Sequence, residues 1–196
     1  MLNIWVVMPT CPPTVLRRCH ACPSGRLRVN GKFRVNAHHK LLDVWLLALC
    51  AACGETAKLT VLERARVRSV RPGLLDRLHA NDPSLAAELL QDPAVRRRNR
   101  MALDWDGAWR LDTGRSDRPE AWDKARAEAG AEAETEAVEV SVRFGARIPV
   151  RPARLIAEGF GLARAEAERL IAEGNLVSTV RLNGKLSGDF TFTLKR

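Results

Sequence analysis

The chain has 196 residues, of which 46% are hydrophobic and 28% charged, with a formal net charge of +9 and a pI near 10.0. That apolar share predicts a true core, and no run comes near the roughly 20 apolar residues that a membrane-spanning helix needs. The opening MLNIWVVMPT has no basic segment before its short apolar run and soon meets Pro9, so no secretory signal is expected and a cytoplasmic, bacterial-type setting is.

A basic balance of this size fits a polyanion such as nucleic acid. The 26 Arg against 6 Lys are also what GC-rich coding produces unaided, so placement says more than sign. Residues 1–71 carry 12 basic and 3 acidic side chains, residues 111–141 have a net charge of −5, and residues 142–196 a net charge of +5. The ends are basic and the waist is acidic.

In chain order, FRVN and KLLDVWLLAL flank the polar AHH and predict a hairpin. The run Leu41 to Leu49 is interrupted only by Asp43, which predicts a central strand covered on both faces. AKLTVLERARVRSV continues extended. Pro72, Pro83 and Pro93 then stand at first helical positions, with Asp82 and Asp92 as N-caps, predicting helices over 72–79, 83–90 and 93–101. LDWDGAWRLD reads as a turn from which Trp105 and Trp109 pack back on the core. The Ala/Glu-rich stretch 118–137 lacks large apolar residues after Trp122 and reads as an acidic linker or solvated helix. Beyond it, Val138, Val140, Val142 and Phe144 alternate on one strand face. Pro152 and Gly159 bracket a short helix, a second runs from Ala163 to Glu173 and closes at Gly174, and Asn183-Gly184 signals a hairpin before the alternating Phe190, Phe192 and Leu194.

Chemistry concentrates in the steps CHAC and CAACGE. Cys19, Cys22, Cys50 and Cys53 form two Cys-x-x-Cys pairs joined by the predicted hairpin, the two-knuckle form of a four-thiolate site for structural Zn2+. The short step lets two thiolates share one tetrahedral ion, and Gly54 eases the second turn. His38 and His39 sit at the far end of the hairpin, on the order of 35 Å away at about 3.3 Å per residue, and His20 within the first knuckle is expected to face outward. Cys11, beside Pro12 and Pro13, is expected to be a buried or idle thiol. A redox dithiol wants a helix N-terminus, which this strand-rich context lacks; a disulfide frame does not suit a cytosolic chain. A degenerate, metal-free ribbon is the remaining alternative. A closed shell of four thiolates leaves no open position, so catalytic zinc is not expected.

The run GKFRVNAHHKLLDVWLLALCAAC, with the earlier CHAC, resembles an uncharacterised bacterial family, domain of unknown function 1062. The likeness extends along the whole chain, implies cytosolic zinc-ribbon-like proteins, and brings no activity with it. Separately, GFGLARAEAERLIAEGNL resembles the S4 RNA-binding module. That likeness places Arg164 on the module's arginine, Ala167 on its small packing residue, and Leu170, Ile171 and Gly174 on its core and helix end. VRLNGK resembles the strand and turn that follow. The module's Arg-Leu-Asp opening is here Arg151-Pro152-Ala153, Ala163 replaces its serine, and the segment from Gly174 to Asn183 is longer. Glu166, Glu168 and Glu173 also offset Arg164 and Arg169, so the fold is better supported than RNA contact.

Period-two alternation puts Arg26 with Arg28, Lys32 with Arg34, and Arg64 with Arg66 and Arg68 on polar faces, opposite Leu27, Val29, Phe33, Val35, Ala65 and Val67. A basic face over an apolar one suits phosphate contact; an arginine-rich solvated face is the plain alternative. Arg96, Arg97, Arg98 and Arg100 point several ways on a helix. There is no Tyr, and the five Trp read as core, so base stacking is poorly supported. No phosphate-cradling glycine loop or serine elbow appears, and His79, Asp104 and Asp106 lack evident catalytic partners.

The fold expected is α+β: a zinc-ribbon-like antiparallel β unit with short helices over 1–117, the linker 118–137, and an S4-like helix pair with strands over 138–196. The function expected is a non-enzymatic, zinc-stabilised RNA-binding or ribosome-associated protein, with Arg26, Arg28, Lys32, Arg34, Arg64, Arg66, Arg68, Arg151 and Arg164 as contacts. The alternatives are a protein-interaction module without nucleic-acid binding and an enzyme acting on nucleic acid. Neither a membrane nor a small-molecule substrate is indicated.

Overall fold

The computed structural model describes residues 2–114 and 137–195. It is a mixed α/β structure with five α-helices and two five-stranded sheets among the described residues. The chain divides into two compact units: Pro12–Asp106, the cysteine unit, and Met1–Cys11 together with Gly107–Arg196, the split unit. The expected boundary at 117 therefore differs from the observed one. The first strand, β1 (Leu2–Pro9), pairs with strands of the second half rather than with the cysteine unit. The proposed linker falls almost entirely outside the described residues.

In the cysteine unit, β2 (Thr14–Leu16), β3 (Arg26–His38), β4 (Leu41–Cys50), β5 (Thr56–Arg66) and β6 (Ala102–Asp104) form a wholly antiparallel sheet in the order β5-β4-β3-β2-β6. The predicted hairpin is present, with His39 at φ 54° in its turn. One sheet face carries Val15, Leu27, Leu42, Val44, Leu46, Ala48 and Leu59, all buried. The helices α1 (Pro72–His79), α2 (Pro83–Gln91) and α3 (Pro93–Asn99) cover it with Leu78, Leu85, Leu90 and Val95. Because they serve one core, β4 is not covered on both faces as expected. Its other face holds Leu41, Asp43, Trp45 and Leu47 half-buried, and leaves Leu49 38% exposed.

Side chains repair the sheet where it is irregular. Two register shifts interrupt β5 against β4, between Leu42 and Val44 and between Val44 and Trp45. Asp43 Oδ1 accepts the Arg64 N–H at 2.7 Å, and Arg64 takes a left-handed φ of 46°. Buried Asn99 accepts from Thr60 N at 2.7 Å and donates to Thr60 O at 2.9 Å, bonding the strand as a neighbouring backbone would.

The helix starts follow the predicted chemistry. Asp82 accepts from the Ser84 and Leu85 N–H groups, and Asp92 from those of Ala94 and Val95. The Ser84 side chain and Arg77 hold the Asp82 carboxyl well below its usual range. A depressed carboxyl contributes stability above its unfolded pKa and loses it as pH falls, here below about pH 4. Asp82→Asn keeps a capping oxygen but cannot ionise. We expect thermal melts to show the wild type more stable at pH 7, with the gap closing as pH drops below that value; a gap constant with pH would show that the charge is immaterial.

In the split unit, β7 (Trp109–Asp112), β1, β8 (Val138–Phe144), β10 (Phe190–Leu194) and β9 (Leu176–Ser178) lie in that order. The β1–β8 pair is parallel and the rest antiparallel. Val140 and Val142 are fully buried, as their alternation predicts. The helix pair is α4 (Pro152–Phe160) and α5 (Arg164–Ala172). Two expectations change here. Asn183-Gly184 lies in a longer connection tied down by the Val150–Leu186 bridge, not in a two-residue hairpin between the strands. Gly159 lies inside α4, which ends instead at Gly161 with φ 67°. Gly159 is needed for a close approach: a Cβ there would run into the Trp5 ring. Trp5 is also held edge-on to Phe160 and Phe192 at centroid distances of 4.9 and 5.6 Å. We expect Gly159→Ala to cost about 1–3 kcal/mol by overpacking, read as a lower melting temperature for the split unit. An unchanged melting temperature would show that Trp5 has room to move.

Candidate metal centre

The two Cys-x-x-Cys turns are built alike. The Cys19 N–H donates to Ser24 O at 2.8 Å, and the Cys50 N–H donates to Glu55 O at 2.8 Å, closing loops of equal length. Within each loop, backbone N–H groups point at sulfur. Ala21 N donates to Cys19 Sγ at 3.4 Å, Ser24 N serves Cys22, Ala52 and Cys53 serve Cys50, and Glu55 serves Cys53. Gly54 supplies the φ of +74° that turns the second loop. Ala51 N donates to Arg26 O at 2.9 Å, tying this loop to the start of β3.

Hairpin closure brings all four sulfurs within 4.8 Å of one another. Cys22 and Cys50 are 3.5 Å apart and Cys19 and Cys53 3.8 Å, across the two loops. A disulfide needs about 2.05 Å, so these are free thiols. A tetrahedral ion with metal–sulfur bonds of about 2.3 Å needs sulfurs about 3.8 Å apart, and the set fits that requirement. Cys19 and Cys50 are buried and belong to the same core cluster as Leu27 and Leu46, so the site is continuous with the fold.

The thiols differ from one another. N–H groups of Cys53 and Ala52 lower Cys50 to about 6. Cys53, although the Glu55 N–H acts to lower it, is pushed up to about 12 by the neighbouring Cys22 and Cys50 sulfurs and by burial. Four sulfurs this close cannot all hold negative charge without a cation among them. His20 is exposed, with Nε2 3.7 Å from Glu55 Oε1, and none of the other histidines joins the cluster. Cys11 lies outside it and is exposed, which removes the buried-thiol expectation.

Arg26, Arg28 and Arg34 lie exposed on the outward face of β3, opposite buried or half-buried Leu27, Val29, Phe33 and Val35, and Lys32 is exposed in a register irregularity between Val29 and Phe33. Arg26 is paired with Asp104 at 2.8 Å. The second expected row is broken. Arg64 sits at a bulge, β5 ends at Arg66, and Arg68 lies in the 3-10 helix Val67–Ser69, so the three do not share one strand face. Val67, assigned by alternation to an apolar side, is 39% exposed. In the split unit, Arg151 is exposed at the N-cap of α4, and Arg164 is paired with Glu168 at 2.8 Å.

Alternation along β3 alone does not reach Arg17, Arg18, Lys58 and Trp45. With Arg34, His20 and Glu55, the first three line a cavity of about 670 Å³ beside the first cysteine loop. Lys58 Nζ lies 5.3 Å from the centre of the Trp45 ring, and Trp45 is the cross-strand partner of Arg34. The signals were available: Arg17-Arg18 runs straight into Cys19, and Lys58 alternates with the buried Leu59 and Val61.

One family model, described as a protein of unknown function (DUF1062), matches residues 35–182. The match takes in Cys50 and Cys53 but begins after the first cysteine pair. No curated protein and no solved structure matches the chain.

Proposed function

The chain belongs to the DUF1062 family, and from that premise we propose a cytoplasmic, non-enzymatic RNA-binding or ribosome-associated protein stabilised by structural Zn2+. Cys19, Cys22, Cys50 and Cys53 hold the ion. Four thiolates in tetrahedral reach suit zinc, and their continuity with the core makes its role architectural. The ion closes the end of the hairpin and so fixes the strand that displays the cations.

The observation that carries the RNA reading is the pair Arg28 and Arg34, exposed on one face of β3, with Lys32 exposed in the irregular segment between them. Opposite Leu49 and Trp45 of β4, Arg28 and Arg34 stand about 13 Å apart at about 3.3 Å per residue, a span along which more than one phosphate of a chain can be met. Such contacts set affinity without reading sequence. Half-buried Trp45 on the same face adds a ring beside the cations.

The split unit supplies a second contact as an S4-like module. In support, Ala167 is fully buried at the small packing position, Gly174 has a φ of 76°, and a short strand, β9, follows at once. Arg151 and Arg164 are its candidate contacts. Among the described residues no helix is long and apolar enough to cross a membrane. A protein partner is the second reading, favoured by Leu16 and Leu49, 36% and 38% exposed on the strands of the basic sheet. Filter binding of a structured RNA at several salt concentrations separates the two. RNA affinity that falls steeply with salt supports the first reading, and no affinity at low salt sinks it.

A further inference from the structure

We propose that the cavity lined by Arg17, Arg18, Arg34 and Lys58 receives the terminal phosphate of an RNA chain. This deepens the RNA-binding reading and rests on it. The four cations come from the loop after β2, from β3 and from β5, and only the folded unit brings them to one cavity of about 670 Å³. A single carboxylate, Glu55, lines the same cavity, and it faces His20 at 3.7 Å. The side chains of Arg18 and Arg34 have no carboxylate within ion-pair distance among the described residues. Arg17 is anchored by one nitrogen, Nη1 donating to Lys58 O at 3.1 Å, which leaves its other N–H groups to the cavity. Lys58 is held over the Trp45 ring.

Four converging cations face one lining carboxylate and, beside Arg18, a zinc–thiolate centre of net charge about −2, so they still repel one another until a further anion joins them. The shape and charge of the site choose among phosphates. A bridging diester carries one charge and has chain on both sides. A terminal monoester carries about −1.5 to −2 at pH 7, with three strong acceptor oxygens. It satisfies more of these donors, and it enters a cavity end-on. Arg34 belongs both to the cavity and to the outward face of β3 that also carries Arg28.

The test compares two single-stranded RNAs of one sequence, labelled at the 3′ end, with a 5′-monophosphate or a 5′-hydroxyl. In fluorescence anisotropy at equal ionic strength, the phosphorylated RNA is expected to bind about tenfold tighter or better, the scale of one charge-assisted hydrogen bond. Arg34→Ala and Lys58→Ala, each at an exposed position, are expected to remove most of that preference while leaving the circular dichroism melt unchanged. On the wild type, inorganic phosphate is expected to compete better against the phosphorylated RNA than chloride at the same ionic strength. Equal affinity for the two ends overturns the end-group site and leaves the RNA reading standing. A preference that survives both substitutions, or that phosphate does not erode, overturns its placement in this cavity. Failure of both RNAs to bind overturns the end-group site, and the RNA reading falls with it only if structured RNA also shows no affinity at low salt.

Discussion

Purified protein is expected to carry one zinc ion per chain, and removing it is expected to unfold the cysteine unit. Structural zinc bound by thiolates stabilises small folds by about 10–16 kcal/mol at pH 7, as much as or more than the roughly 5–15 kcal/mol net stability of a whole domain. Cys19 and Cys50 are embedded in the apolar cluster beneath the sheet, so the metal-free unit would bury sulfurs that compete for protons. Cys22→Ser or Cys50→Ser should therefore abolish zinc in elemental analysis and eliminate the cysteine unit's melting transition. The split unit has its own core around Trp5, Leu155, Ile156 and Phe192, and is expected to keep its transition. Cys11→Ser, exposed and outside the cluster, should retain full zinc. Because thiols must lose protons to become ligands, zinc affinity should rise with pH. Substantially less than one zinc per chain, with all four thiols reacting freely in the folded protein, would falsify the metal centre.

Local chemistry was legible where local chemistry decides. The Asp-Pro starts of α2 and α3 appear where the N-cap rule puts them, because the carboxylate acts on N–H groups two and three residues ahead. The cysteine centre was legible for a similar reason: a two-residue step fixes each pair, and the hairpin supplies the single long-range closure. What stayed hidden depends on partners distant in sequence. The parallel pairing of Leu2 with Glu139 leaves no mark in either segment's periodicity, so β1 reads as part of the unit that follows it. Gly159 reads as a helix terminator because its conflict is with Trp5, far away in sequence. Arg64 departs from strict alternation because Asp43, on the neighbouring strand, captures its N–H. Covering β4 on one face rather than two is likewise a choice made by where three later helices pack, and the same choice opens Trp45 and the cations around it.

The second large effect expected is on the salt dependence of RNA binding, and the β-bulge in β5 gives it a specific form. Each phosphate neutralised on a single strand contributes about −0.7 to the slope of log affinity against log salt. Replacing Arg28, Lys32 and Arg34 together by Ala should make that slope shallower by about 2, with weaker binding at low salt and little change in melting temperature, because all three are exposed. Replacing Arg64, Arg66 and Arg68 removes the same formal charge. Those side chains stand at a bulge, at a strand end and in a 3-10 helix, whereas Arg28 and Arg34 stand in register on β3 on either side of its own irregularity, so the change in slope should be smaller. The comparison separates a positioned phosphate track from bulk positive charge. Equal loss from the two triple variants would mean that net charge alone drives association, in which case the ordered face of β3 has no special part in it. A larger loss at β3 would tie RNA contact to the strand that the cysteine centre holds in place, and would predict that zinc removal weakens RNA binding by the same route.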